Sequence, residues 1–249
     1  MTQQSSGKVA LVTGASRNIG RAIAVELARA CAHVVVHVAN DVSSGTGTVQ
    51  AVEAVGGTAS LVCGDLAAEQ EVARVIEEAA GTCGRLDILV NNAAIRPEAH
   101  FSRLDFSEWK RVMAVNLDAV FLASKAVLPF LTDSPEGAIV NIGGLTGHTG
   151  APDRAHVIAS KSAIVGLTKA MAHDLSSSGI TVNCVSPGLI ETERNPLGSP
   201  PKHHGSRRNL LGHRGSPQDV ADAVAFLCSS RARYITGETM HVNGGAYLA

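Results

Sequence analysis

The first residues suited to chemistry form a glycine-rich turn near the start of the chain. Thr13–Gly20 reads TGASRNIG, follows an apolar run at Val9–Thr13 and precedes a helical pattern. A turn between a strand and a helix brings backbone N–H groups against a pyrophosphate at the positive end of the helix. Gly14 permits the tight turn, and Gly20 permits close packing of the helix on the strand. Because strand, turn and helix occur in the required order, the pattern predicts a dinucleotide-binding site.

Charge near the second predicted strand indicates which dinucleotide is bound. An acidic residue at the end of this strand would bind the ribose 2′-OH of NAD and repel a 2′-phosphate. Here the strand ends at His37–Asn40, and the first carboxylate is Asp41. Arg17 could pair with a 2′-phosphate because a guanidinium matches phosphate geometry. NADP(H) is therefore favoured over NAD(H), and the open alternative is that Arg17 is a solvated surface residue.

The elements that must position this turn alternate along the chain. Short apolar runs rich in Val, Ile and Leu are typical of strands covered on both faces. Such strands are predicted at Val9–Thr13, His33–Val38, Ala59–Cys63, Leu86–Val90, Ala138–Ile142, Thr181–Val185 and Thr239–Val242. Helical patterns lie between them, at Ile19–Ala30, Gly45–Val55, Ala68–Thr82, Phe106–Leu131, Arg154–Ser178 and Pro217–Ser229. This alternation predicts a single α/β domain over residues 1–249, a Rossmann fold with a doubly wound, parallel, seven-stranded sheet flanked by helices.

Three irregular segments leave the carboxyl ends of predicted strands, where open α/β sheets bind ligands. They are Arg96–Asp105, Gly143–Asp153 and Glu191–Ser216, and the last has the length of a substrate lid. Its basic residues outnumber Glu191 and Glu193, which favours an anionic substrate such as a carboxylate or an acyl-phosphopantetheine thioester; a solvated loop is the alternative. These basic residues are Arg194, Lys202, His203, His204, Arg207, Arg208, His213 and Arg214.

The glycine-rich turn resembles the TGxxxGxG turn of the short-chain dehydrogenase/reductase family, with Asn18 at the position of the middle glycine. Asn tolerates a positive φ better than most residues, so the departure is compatible with the turn. Other segments similar to family motifs follow in order: Asp65–Leu66 for the adenine, Asn91–Ala94 for the cofactor cleft, Asn116 for a proton relay and Pro187–Thr192 for the nicotinamide. The resemblance implies a cofactor-binding set of Gly14, Ser16, Arg17, Asn18, Ile19, Gly20, Asp65, Leu66, Asn92, Ala93, Lys161, Pro187, Gly188, Ile190 and Thr192.

The resemblance also implies an oxidoreductase whose catalytic group is only partly present. In the family, a tyrosine and a lysine four residues apart on one helix act with a serine that follows the fifth strand. Lys161 matches the lysine and Asn116 the relay asparagine. Val157 stands at the tyrosine position and Gly144 at the serine position. The chain is therefore expected to be an atypical member that lacks the usual proton donor and the hydroxyl that holds the substrate oxygen.

Nearby polar residues are candidates to replace the missing groups. His156 could transfer a proton near neutral pH, although a regular helix rotates it by about 100° from the Val157 position. Thr146, His148 and Arg96 are candidate substrate-binding residues. For each of them a structural role, such as a histidine bonded to backbone, stays open.

Composition narrows the classes of partner. The net charge is −1, so no field is expected to attract nucleic acid, and no apolar run is long enough to cross a bilayer. The five cysteines are widely spread without a CxxC pair, so neither a disulfide framework nor a metal site is expected. We expect a cytoplasmic protein that acts on a small molecule. The family resemblance implies a homotetramer or a homodimer.

Three functions are compatible with these residues. The first is NADP(H)-dependent oxidoreduction of a carbonyl or alcohol, with a substituted acid such as His156 or water. The second is a non-redox enzyme, such as a lyase, isomerase or hydrolase, on the same scaffold. The third is a non-catalytic partner subunit or cofactor sensor. The retained dinucleotide features favour the first.

Overall fold

The computed structural model describes residues 7–31, 33–193 and 209–249, and they build a sheet of seven parallel strands. The order of the strands across the sheet is β3-β2-β1-β4-β5-β6-β7. Their bounds are β1 Val9–Val12, β2 His33–Val38, β3 Ala59–Cys63, β4 Ile88–Asn91, β5 Ala138–Ile142, β6 Thr181–Pro187 and β7 Thr239–Val242. The predicted Rossmann fold with a doubly wound, seven-stranded parallel sheet is thereby confirmed.

Helices cover both faces of this sheet. They are α1 Asn18–Ala28, α2 Val42–Ala54, α3 Glu69–Cys83, α4 Phe106–Met113, α5 Ala119–Ala126, α6 Leu128–Thr132, α7 Thr146–Thr149, α8 Ala155–Leu175 and α9 Pro217–Leu227. One apolar layer includes Leu27 of α1 and Val224 of α9, and the other includes Ile76 of α3 and Ala123 of α5. Because both faces are covered, β1, β4, β5 and β6 are buried throughout.

The predicted single helix over Phe106–Leu131 is wrong in detail, since it is broken twice. A π-helical turn at Ala114–Asp118 separates α4 from α5. A second break precedes α6, where Pro129 has no N–H for the helical hydrogen bond. Apolar periodicity continues through both breaks, which is why the sequence pattern did not indicate them. Similarly, the segment predicted as irregular over Gly143–Asp153 contains the short helix α7.

The direction in which the chain winds reverses between β1 and β4. From β1 the next strand lies on one side, and from β4 the chain continues toward β5 on the other side. Open α/β sheets bind ligands in the crevice at the carboxyl ends of the strands at such a point. The glycine-rich turn after β1 and the segments after β4, β5 and β6 all begin at this edge. Within the described ranges, no helix combines the length and apolar character needed to cross a membrane.

Candidate dinucleotide and substrate site

Two glycines in the turn after β1 are required by close backbone approach. Gly14 has a φ of 62°, and a Cβ there would lie 2.7 Å from the Cα of Ala93. A Cβ on Gly20 would lie 2.4 Å from the carbonyl oxygen of Gly14. Both distances are shorter than a side chain tolerates, so the turn packs against the end of β4 as the sequence pattern predicts.

The end of β4 holds this turn through Asn92 and Thr13. The Nδ2 group of Asn92 donates to the carbonyl oxygens of Thr13 and Gly14, each at 2.9 Å. In return, the Thr13 hydroxyl accepts hydrogen bonds from the N–H groups of Asn92 at 2.9 Å and Ala93 at 3.1 Å. The predicted cofactor residues Asn92 and Ala93 therefore fix the shape of the turn.

The N-terminus of α1 fits a pyrophosphate. Arg17 stands at its N-cap without a side-chain capping bond, and the first turn carries no acidic residue. An uncapped helix N-terminus without a nearby carboxylate offers its N–H groups and its positive dipole end to an anion. The backbone carbonyl of Ser16 is held at 2.9 Å by the guanidinium of Arg21, and Ile19 packs on the core. The residues present therefore fit a dinucleotide.

His37 contacts the glycine-rich turn directly. The sequence pattern indicated it only as a non-acidic residue near the end of the second strand. It is buried at the end of β2, with 1% of its surface exposed. Its Nδ1 accepts the N–H of Gly14 at 3.1 Å, so its Nε2 carries the proton that is shared with the carbonyl of Gly64 at 3.0 Å. Burial lowers the pKa of His37, which keeps the ring neutral. A histidine within the otherwise apolar run VVVHV is the sequence signal that could have indicated this role.

The adenosine side of the cleft carries Arg17, Asp41 and Asp65. Hydrogen bonds from Ser44 lower the pKa of Asp41, and the positive charge of Arg17 adds to this effect. Arg17 is exposed, and its charge acts on Asp41, which follows β2; its contact with a 2′-phosphate stays a prediction. Asp65 is exposed and accepts the N–H of Ala67 at 3.0 Å, while Leu66 is buried.

The segment after β6 forms the opposite wall of the cleft. Gly188 donates its N–H to Val242 at 2.8 Å, and a Cβ on it would lie 2.6 Å from the Cα of Asn243. Ile190 is buried and pairs with Gly215 in a short parallel bridge. The predicted cofactor residues Pro187, Gly188, Ile190 and Thr192 thus lie on one wall, anchored to β7 and to Gly215.

Lys161 lies buried in α8, beneath the end of β5. Its Nζ donates to the carbonyl of Ile142 at 2.6 Å. Burial lowers the pKa of Lys161 to about 8, and the positive charge of Arg96 contributes to this shift. The structure therefore brings Arg96 near Lys161. Asn116, in the π-helical turn, is fully buried and uses its side chain to bond both backbone groups of Ile95, at 2.9 and 3.0 Å.

The positions that the resemblance assigns to the family serine and tyrosine are those of Gly144 and Val157, and neither residue has a hydroxyl. A Cβ on Gly144 would have the Cγ of Lys161, at 4.0 Å, as its nearest neighbour, so a serine would fit there. Val157 is buried, with 2% of its surface exposed. Neither residue can hold a substrate oxygen through a side chain or give up a proton.

The candidate replacements have different surroundings. His156 is fully buried, and burial lowers its pKa; the charges that act on it are those of Glu108, Arg154 and Arg111, which places it against α4. His148 packs its ring 4.6 Å from that of His241 and 5.2 Å from that of Tyr247, measured between centroids. Thr146 is half-buried at the start of α7. The roles of these residues stay predictions.

Part of the predicted lid lies outside the described residues. Arg194, Lys202, His203, His204, Arg207 and Arg208 belong to that part. His213 and Arg214 are described and exposed. Their exposure near Gly215 is compatible with the predicted basic rim of the cleft.

Comparison with known proteins gives matches over nearly the whole chain. A family model described as Enoyl-(Acyl carrier protein) reductase matches residues 14–247. The 3-oxoacyl-(acyl-carrier-protein) reductase FabG of Staphylococcus epidermidis is 39% identical over 242 residues, covering 97% of this chain and 99% of that protein. The protein of the same name from Escherichia coli is 39% identical over 243 residues, covering 97% and 98%.

Solved structures of similar proteins include several with a bound nucleotide. The angucycline C-6 ketoreductase LanV with bound NADP superimposes with a TM-score of 0.90 at 33% identity, covering 97% of this chain and 96% of that chain. A short chain dehydrogenase from Burkholderia cenocepacia in complex with NADP has a TM-score of 0.90 at 35% identity, covering 98% and 99%.

Proposed function

Since the chain belongs to the short-chain dehydrogenase/reductase family, we propose that it is an NADP(H)-dependent oxidoreductase that interconverts a carbonyl and an alcohol with a non-standard proton donor. The observation that carries this proposal is the completeness of the dinucleotide half. Gly14 and Gly20 leave no room for a Cβ, and the N-terminus of α1 is uncapped. The similar structures with bound NADP support the choice of cofactor.

Each wall of the cleft has a proposed role in binding the cofactor. NADPH, when bound, supplies the hydride for a carbonyl carbon. Arg17 binds the 2′-phosphate beside the end of β2, and the N–H groups at the start of α1 bind the pyrophosphate. Thr192 and Ile190 line the nicotinamide side. Lys161, buried beneath the end of β5, binds a ribose hydroxyl.

We assign the proton to the ammonium of Lys161 rather than to His156. A substrate oxygen that accepts negative charge needs one proton, and a group with a pKa near the working pH delivers it best. The pKa of Lys161 is about 8, so the amine carries a proton at neutral pH and can pass it through water. His156 is fully buried against α4, and burial lowers its pKa. Among the described residues, a Cβ on Gly144 would meet only the Cγ of Lys161, at 4.0 Å, so there is room for a small group beside this lysine.

The substrate that this site favours is anionic. Arg96 lies near Lys161, and His213 and Arg214 are exposed in the stretch just before α9. These positive groups suit a carboxylate or an acyl-phosphopantetheine thioester. The similar reductases named for 3-oxoacyl-(acyl-carrier-protein) make 3-oxoacyl thioesters the first substrates to test.

A spectroscopic assay tests the proposed reaction. The protein is mixed with NADPH and a 3-oxoacyl phosphopantetheine thioester, and the fall in nicotinamide absorbance is followed beside product analysis. We expect slow oxidation of NADPH with one alcohol formed for each NADPH consumed. Bound NADPH that is not oxidised by any carbonyl compound would contradict the redox hypothesis.

Buried Val157 at the proton-donor position specifically favours two other functions. Conversion of a substrate without change in nicotinamide absorbance would support a lyase, isomerase or hydrolase. Binding of NADPH without any conversion would support a partner subunit or cofactor sensor.

A homodimer or homotetramer is part of our proposal, supported by the exposed rings of Phe106 and Phe121 on α4 and α5.

A further inference from the structure

Asn18, the residue that departs from the glycine-rich pattern, bonds the far wall of the cleft. Its backbone has a φ of 51°, the left-handed conformation of the glycine it replaces. Its Nδ2 donates to the carbonyl oxygen of Glu193 at 2.9 Å. Its Oδ1 accepts the N–H of Glu193 at 2.8 Å. One side chain thus satisfies both backbone groups of a residue that lies 175 positions away.

These two hydrogen bonds cross the crevice that holds the dinucleotide. Asn18 begins α1, whose N-terminus is the proposed pyrophosphate site. Glu193 follows β6, and β4 and β5 lie between β1 and β6 in the sheet. The Glu193 segment is anchored on its own side, since Glu191 donates to Gly215 at 2.7 Å and Gly215 donates to Leu189 at 3.0 Å. The segment is therefore fixed at both ends across the cleft.

The contact depends on the chemistry of an asparagine. An amide on a one-carbon stem offers a donor and an acceptor side by side, and asparagine tolerates a positive φ. Glycine would keep the backbone conformation and lose both bonds. The position therefore combines the shape of the family turn with a contact that a glycine there cannot make.

We propose that Asn18 is a positioning residue that straps the segment after β6 to the N-terminus of α1 and sets how fast the dinucleotide leaves. The strap holds the backbone of Glu193 against the first residue of α1. A bound dinucleotide departs after these two hydrogen bonds open. This proposal rests on the proposed function, because it presupposes that NADP(H) binds in the cleft.

Dissociation kinetics test the strap. NADPH bound to the protein is displaced by excess NADP⁺ in a stopped-flow instrument, with nicotinamide fluorescence as the signal. We expect Asn18→Gly to raise the dissociation rate about tenfold, as the loss of two hydrogen bonds implies. The matched control is Asp153→Gly, because Asp153 is the other non-glycine residue with a positive φ, 58°, in the described part of the chain. This variant relieves the same backbone strain away from the strap and should leave the rate unchanged.

Hydrogen exchange in the cofactor-free protein supplies a second readout. The amide of Glu193 should exchange faster in Asn18→Gly than in the unmodified protein, whereas Asp153→Gly should leave it unchanged. An unchanged NADPH dissociation rate in Asn18→Gly would overturn the strap and leave the proposed function standing. A failure of the unmodified protein to bind NADPH would overturn both.

Discussion

The turn between β1 and α1 and the segment after β5 face the same crevice, and they differ in how tightly packing constrains their residues. In the turn, a Cβ on Gly20 would lie 2.4 Å from the backbone oxygen of Gly14. After β5, a Cβ on Gly144 meets its first neighbour at 4.0 Å. A turn made from closely packed backbone is thus constrained by the fold, whereas the position of Gly144 can carry different side chains while the sheet stays intact.

Placing hydroxyls at positions 144 and 157 should produce the largest change, an increase in the rate of carbonyl reduction. The double variant Gly144→Ser with Val157→Tyr is expected to raise carbonyl reduction by about 10²- to 10⁴-fold, the usual contribution of positioned proton transfer. Steady-state oxidation of NADPH measures it. Gly144→Ser alone is the control, because it supplies a hydroxyl without the proton donor and should gain little. No gain in the double variant would show that the substrate half differs in more than two side chains.

A methyl group in the turn should damage the cofactor half. Gly20→Ala places its Cβ 2.4 Å from the oxygen of Gly14 and 2.6 Å from the Nδ2 of Asn92. We expect NADPH affinity to fall at least about tenfold and stability to fall by about 1–3 kcal/mol, the cost of overpacking. Calorimetry and urea unfolding measure the two changes.

Gly166→Ala is the matched control for that substitution. Gly166 lies within α8, and a Cβ on it would have no neighbour within 4 Å. Alanine should therefore add about 0.5–1 kcal/mol of stability there and leave NADPH binding intact. Unchanged NADPH affinity in Gly20→Ala would show that the turn is not fixed by packing.

Lys161→Met should remove carbonyl reduction and also change how stability depends on pH. The variant is expected to lose carbonyl reduction, and the unmodified enzyme should slow above pH about 8 as its ammonium loses its proton.

Because burial lowers the pKa of Lys161 below its ordinary 10.5, the unfolded chain binds more protons than the folded chain between about pH 8 and pH 10.5. Stability of the unmodified protein therefore gains a contribution on the order of 1–3 kcal/mol as pH rises through this window, and the variant lacks it. Urea unfolding at several pH values checks this; full activity in Lys161→Met would contradict the assigned role.

The smallest expected effect concerns His37 beneath the turn. Burial lowers its pKa, and protonation would end its acceptance of the Gly14 N–H. NADPH affinity should therefore fall severalfold as pH drops below about 6.5, and His37→Gln should flatten this dependence. His33→Gln at the half-buried start of β2 is the control and should keep it. An unchanged pH profile in His37→Gln would mean that His37 does not govern the turn.

The sequence predicted the fold and the tight packing of the glycine-rich turn, because both depend on local patterns. The alternation of strands and helices and the turn around Gly14 and Gly20 are each confined to short segments. The break around Asn116 escaped prediction because apolar periodicity continues through it. The contacts of His37 with Gly64 and of Asn18 with Glu193 join distant segments, so only the folded chain shows them.

The surroundings of the candidate catalytic residues could not be predicted from the sequence. The resemblance placed Val157, Gly144 and Lys161 by alignment, but it could not show that His156 is buried against α4 or that the ring of His148 packs on His241. Side-chain direction after β5 depends on how α8 and β7 pack there, which no local pattern specifies.

A calorimetric titration of the protein with NADPH and with NADH tests the central claim most directly. We predict that NADPH binds at least about tenfold more tightly than NADH, since the guanidinium of Arg17 pairs with the 2′-phosphate, and that Arg17→Ala removes this preference. Binding of neither nucleotide, or tighter binding of NADH, would contradict it.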